Sequence, residues 1–158
     1  MRFGIWTVLL LCAGCVAAPE NTASNGTTEA TSDEAEIVRI ALDYAVRDKA
    51  IPDHYLLEKQ GLPYPLSTEN IRATWINADR RFQLMSPDQI QTRAQQTGDF
   101  LFLRIKQVNV AESTARVSLE NIWAAQSDNV YISGGGFEMQ LVKEDDVWVV
   151  VTLVKWQS

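Results

Sequence analysis

Cysteine is nearly missing from this 158-residue chain: there are two, Cys12 and Cys15, both within the first fifteen residues. The remainder carries no thiol, which excludes a disulfide framework, a thiolate metal site and a cysteine nucleophile there. Histidine is scarcer, with His54 alone. Zinc sites built without cysteine usually need two or three histidines, so no metal is expected, and no cofactor is expected either. The apolar run from Ile5 to Leu11 is too short to cross a bilayer as a helix. Basic residues are also in deficit: 14 Lys and Arg stand against 20 Asp and Glu, a formal net charge of −6. That balance argues against a nucleic-acid partner and against anionic headgroups binding the folded part. It suits solubility and a basic protein partner.

What is present begins at the N-terminus. Arg2, the apolar run and the small residues Ala13 and Gly14 before Cys15 have the length and order of a signal peptide. Ala13-Gly14-Cys15 resembles the lipobox of bacterial lipoproteins, whose pattern is Leu, a small residue, Gly or Ala, then Cys. Cys12 stands where Leu is usual, and Leu11 sits one residue early. The resemblance implies that residues 1–14 are removed and that Cys15 is the lipid-attachment residue, acylated on sulfur and then on nitrogen. Each buried methylene contributes about 0.8 kcal/mol, so two or three chains anchor durably where one does not. The implied location is the cell envelope, membrane-anchored. Val16 rather than Asp follows the cysteine, which implies the periplasmic face of the outer membrane in a cell with two membranes. The alternative is an ordinary secretory signal that happens to contain a cysteine.

Residues 15–33 read as a lipidated cysteine and tether. They are rich in Ala, Thr, Ser and Asn, with no large apolar residue after Val16 to bury. Such a coil has an r.m.s. reach of about 25 Å. Residues 34–158 read as one domain. It opens with a helix over about 32–49, capped by Ser32 or Asp33, with Ile37, Ile40, Ala41, Tyr44 and Ala45 in one apolar stripe. Four strand-like runs follow at 99–110, 115–126, 130–142 and 147–156, separated by short polar turns. Connections that short force antiparallel neighbours, giving a four-stranded meander. The fold class expected is α+β, an N-terminal helix packed on a curved antiparallel sheet.

Two details of the sheet stand out. The last run, Val147-Trp148-Val149-Val150-Val151-Thr152-Leu153-Val154, is apolar on both faces, so both are expected to be buried. The second cover would be a loop, a ligand-filled pocket or another copy of the protein. Gly134-Gly135-Gly136 inside the third run marks a bulge, a bend or a close backbone approach, since no helix follows to make a phosphate loop. Between helix and sheet, 66–71 and 85–90 echo one another. In the second copy Ser86 caps, Pro87 opens, Gln89 completes a capping box and Gly98 stops a helix. The first copy opens a short helix or stays extended.

A leading helix, a mixed middle and a final hairpin reading Gly-Gly-Gly-Phe, Lys-Glu-Asp-Asp-Val-Trp and Val-Lys-Trp resemble nuclear transport factor 2-like domains from about Ile37 to Ser158. That resemblance implies a cystatin-like cone, often dimeric through its sheet, with a cavity between sheet and helices. The class hosts isomerases, dehydratases, immunity proteins and binding modules, so fold alone does not choose among them.

No arrangement of residues specifies a reaction, and the chain is expected not to be an enzyme. Four residues are candidates for facing a ligand or partner: Tyr44, His54, Asn121 and Trp156. His54 lies in a proline-flanked loop and reads either as a general base or, more simply, as a solvated side chain. Asn121 shares an alternation face with Leu119 and Trp123, where it either bonds a ligand or marks a bulge. Tyr44 with Asp43, or Asn121 with Glu120, would supply a polar pair in a cavity. The expected function is that of a membrane-anchored lipoprotein whose domain binds a protein partner or forms a homodimer. An immunity or inhibitor protein, and a small-molecule binder or isomerase-like enzyme, are the alternatives.

Overall fold

A computed structural model describes residues 32–76, 78–127 and 131–158. Helix α1 spans Asp33–Val46, with Ser32 as its N-cap and Asp33, Glu34 and Glu36 in its first turn, where the helix dipole favours negative charge. Its buried stripe includes Ile37, Val38, Ala41, Leu42 and Ala45. After Pro52 the chain enters α2 (His54–Gln60), where a loop was expected. Strand β1 (Tyr64–Ser67), a 3-10 turn (Ala73–Trp75), β2 (Phe82–Met85) and α3 (Pro87–Thr97) follow. The chain ends with β3 (Phe100–Val110), β4 (Thr114–Ala124), β5 (Tyr131–Glu144) and β6 (Val147–Trp156).

The fold is α+β, with one mixed six-stranded sheet in the order β2-β1-β3-β4-β5-β6. Strands β3 to β6 form an antiparallel meander. The other end of the sheet departs from the all-antiparallel expectation, because β1 runs parallel to both β2 and β3. Residues 68–81 and 86–99 make this possible, being long enough for the crossovers that parallel neighbours require. The two echoing segments begin side by side, with Leu66 opposite Leu84 and Ser67 opposite Met85. They then diverge. Asn70 adopts φ 62° and turns the first copy away, whereas Ser86 and Gln89 form a reciprocal capping box that starts α3.

Helices lie on both faces of the sheet. Over one, α1 and α2 close the main core around Leu103, Ile105, Val117, Leu119, Phe137 and Met139. Over the other, α3 closes a smaller core with Met85, Ile90, Ala94, Phe100, Phe102 and Ile122. The run Phe100-Leu101-Phe102-Leu103 therefore feeds two cores by simple alternation, and all four residues are buried. With 11 residues, α3 extends about 16 Å and packs on β2 and β4. It leaves the far end of that face open. The two-sided burial expected of the last strand thus belongs to the start of β3 instead.

The glycine run does two jobs. Asn121 pairs with Gly135 and Ile122 with Ser133, so Gly134 is the extra residue of a bulge. At Gly136 a Cβ would collide with the Leu119 carbonyl oxygen and stand 2.9 Å from Glu120 Cα, which only glycine avoids.

Candidate functional site

The last hairpin presents the most unusual surface of the domain. Asp145 and Asp146 adopt φ 47° and 63°, the left-handed pair of a two-residue hairpin turn, a conformation that Asp tolerates better than most side chains. That turn sets the register in which Lys143 meets Trp148 and Leu141 meets Val150. Next, Gln140 meets Thr152 and Val151 is left over as a bulge. Beyond it Met139 meets Leu153 and Phe137 meets Lys155. Trp148, Val150, Leu153 and Lys155 therefore lie on the α1 side. Val147, Val149, Thr152, Val154 and Trp156 lie on the other side, with Val151 beside them.

That second side is uncovered. Val147, Val149, Val151 and Val154 are 57%, 39%, 53% and 57% exposed. The expectation of a strand buried on both faces is corrected here: no described residue covers these valines. β6 is also the last strand of the sheet order, so its outer backbone groups have no neighbouring strand among the described residues. Lys155 is the one charged residue between Val147 and Trp156, and there is no proline. Charge and proline are two means by which an edge strand is kept from pairing; a bulge is a third, and β6 carries that one, at Val151.

The α1 side of the hairpin is locked. Asp33 Oδ1 accepts from Lys143 Nζ at 2.9 Å and from Trp148 Nε1 at 3.1 Å. The Lys143 ammonium also stands 5.5 Å from the Trp148 ring centre. The Lys143 hydrogen bond, then that of Trp148, holds the Asp33 carboxyl below its ordinary value of 3.8; the same bond raises Lys143. A carboxyl whose pKa is depressed on folding stabilises the fold above its unfolded pKa, and this is lost as pH falls through the folded value. Asp33→Asn is accordingly expected to lower the urea midpoint at about pH 7 and to lower it less near pH 2. Urea curves at both pH values check this; an equal deficit at both would show that the clamp does not act through charge.

At the other end of β6 the structure gathers candidate residues into one corner. Asn121 is fully buried, and its Nδ2 donates to the Pro52 carbonyl at 2.8 Å. Its Oδ1, also buried, has no partner. A Cβ at Gly135 would meet Pro52 Cγ at 2.8 Å and crowd the Trp156 carbonyl. Asn121, Pro52, Gly135 and the Trp156 carbonyl thus lie close together. The bulge is real but lies in the neighbouring strand, and the amide's bond is to a loop of the same chain. Ile51, Pro52, Lys155 and Trp156 border a shallow groove of about 380 Å³ beside this corner.

His54 opens α2 and does not lie in a solvated loop. Its side chain is mostly buried, with Nε2 3.3 Å from Glu58 Oε2 but not aligned for a hydrogen bond. Tyr44 is half-buried on α1 with its ring against the main core. Between α1 and the sheet, Leu119, Phe137, Met139 and Trp148 fill the interior. Cys15 and the tether up to residue 31 lie outside the described residues.

Two polar clusters carried no signal as clusters, although Asp43 and Glu120 were candidates; Glu120 bonds Arg104 on the opposite face from Asn121, so those two form no polar pair. On the α3 face Glu120, 4% exposed, accepts from Arg104 Nε and Nη2 at 3.0 and 2.8 Å, while Arg104 Nη1 reaches Glu69 at 3.2 Å. On the α1 side Arg81 is held by Asp79 at 2.6 Å and Asp43 at 2.7 Å. Asp79 first, then Asp43, raises the Arg81 pKa against burial, so its charge is committed to the fold. Asp43 is thereby drawn away from the Tyr44 pairing. No helix among the described residues is long and apolar enough to cross a membrane. Comparison with known proteins returned no matching family model, no matching curated protein and no matching solved structure.

Proposed function

We propose that this chain is an envelope lipoprotein, anchored through acylated Cys15, whose tethered domain is a protein-binding module that docks through β6. The exposed valines on a strand with a free edge carry this reading. Four β-branched side chains in a row on an otherwise acidic surface form a patch that water disfavours and a protein surface favours. The Asp33 clamp supports it by fixing the hairpin from behind, so the strand is presented with little ordering left to occur on binding. The nuclear transport factor 2-like assignment belongs to the same proposal and is supported by a helix lying on an antiparallel meander. In a cell with two membranes the domain would sit at the periplasmic face of the outer membrane, with residues 16–31 as its leash, since Ser32 caps α1 and Asp33 opens it.

The anchor and the docking surface are separately testable. Cys15→Ala is expected to abolish labelling by a radioactive fatty acid and to move the protein from the membrane to the soluble fraction. Retention of label and membrane attachment would overturn the anchor. A photo-crosslinking amino acid at position 149 is expected to give discrete protein adducts in cells, whereas one at the exposed α3 position 92 gives none.

A further inference from the structure

The free strand has a property that says what pairs with it. Antiparallel strands stay in register only if opposite residues point to the same face, and a slip of one residue inverts every pair. An unbulged strand pairing with a copy of itself about a two-fold axis must therefore place that axis on a residue pair i with i. The bulge at Val151 changes this rule for β6. On its N-terminal side Trp148 and Val150 face α1; on its C-terminal side Leu153 and Lys155 do, so the parity of the faces is inverted across the bulge. With the axis between Val151 and Thr152, every flanking pair matches. Val147 meets Trp156, Val149 meets Val154, and Thr152 meets Val151, all on the open face; Trp148 meets Lys155 and Val150 meets Leu153 on the α1 face.

Charge fits the same arrangement. The acidic turn Glu144-Asp145-Asp146 lies at one end of β6 and Lys155 near the other. Two-fold antiparallel pairing sets the Lys155 of each copy diagonal to the Asp146 of the other, within reach of a lysine side chain. Parallel pairing would stack acidic turn on acidic turn. Pairing also supplies the free backbone groups with partners and sets Val149 beside Val154 as cross-strand neighbours.

We propose that β6 pairs with β6 of a second copy of this chain, antiparallel about a two-fold axis between Val151 and Thr152, joining two six-stranded sheets into one. This rests on the reading of β6 as a docking surface and names its occupant. The test uses full-length, membrane-inserted protein carrying two different tags. Val149→Cys in one copy and Val154→Cys in the other are expected to form a mixed disulfide on mild oxidation, since antiparallel opposite Cα atoms lie within disulfide range. Two Val149→Cys copies are expected to crosslink at least about tenfold less, being five residues out of register. Lys155→Glu is expected to weaken self-association at least about tenfold through like-charge contact, with recovery when the other copy carries Asp146→Lys. Equal crosslinking in both cysteine combinations, or no recovery on charge exchange, would overturn the register and the pairing. The crosslinker at position 149 separates the two levels: an adduct to a different protein alone overturns the self-pairing and leaves the docking surface, while no adduct overturns both.

Discussion

Arg104→Ala is expected to lower the unfolding free energy by about 3–5 kcal/mol, the cost of leaving a buried carboxylate without its cation. Glu120 is almost fully buried on the α3 face, and Arg104 supplies two donors to its Oε1. Burial lowers the Arg104 pKa, and Glu120 with Glu69 more than reverses this, so the guanidinium stays charged beside Glu120. Removing the guanidinium alone keeps the desolvation of Glu120 and discards its compensation. Glu120→Gln in the Arg104→Ala background should therefore regain a substantial part of the loss, because an amide is far less costly to bury than an unpaired charge. Urea unfolding with an unchanged m-value gives the comparison. A loss below about 1 kcal/mol for Arg104→Ala would mean that the pair behaves like a surface ion pair.

Phe137→Ala is expected to cost a similar amount, about 3–5 kcal/mol, for a different reason. Phe137 is fully buried, opposite Leu119 in β4 and Lys155 in β6. The backbone just before it is too crowded to move inwards, since Gly136 already touches the Leu119 carbonyl. Truncation should therefore leave a cavity that the sheet cannot close by collapse. The measurement is again urea unfolding, joined by hydrogen exchange. Amides of β6 at positions 153–155 are expected to lose protection before those of β3, because Phe137 is the floor under that end of the edge strand. Uniform loss across the sheet would show that the cavity is shared by the whole core.

These effects divide along a line that also separates what was legible in the chain from what was not. Local signals hold where the physics is local. Ser86, Pro87, Gln89 and Gly98 define α3 because a cap needs only residues a few positions apart. The short polar turns define the meander because a short connection permits only an antiparallel neighbour. The weak signals lie elsewhere. α2 has seven residues and begins after Asp53 in a left-handed conformation with no side-chain cap, so only its end carries a pattern, the Gly61 cap followed by Pro63. The parallel pairing of β1 leaves no mark in its four residues. Asp33 with Trp148, Asn121 with Pro52 and Arg104 with Glu120 join positions far apart, and no spacing rule relates them.

The β6 valines illustrate the division most directly. The lack of polar alternation around them showed a strand apolar on both faces, which is a property of composition and period alone. Whether both faces are covered depends on how far α3 reaches across the sheet, and it reaches only the β2 to β4 side. By itself the chain determined its helix caps, its meander, its acidity and its concentration of cysteine in the first fifteen residues, all of which follow from nearest neighbours or from counting. Tertiary structure alone decided which apolar face remained open and where the buried charges found partners, because both depend on the lengths and crossing positions of elements distant in sequence.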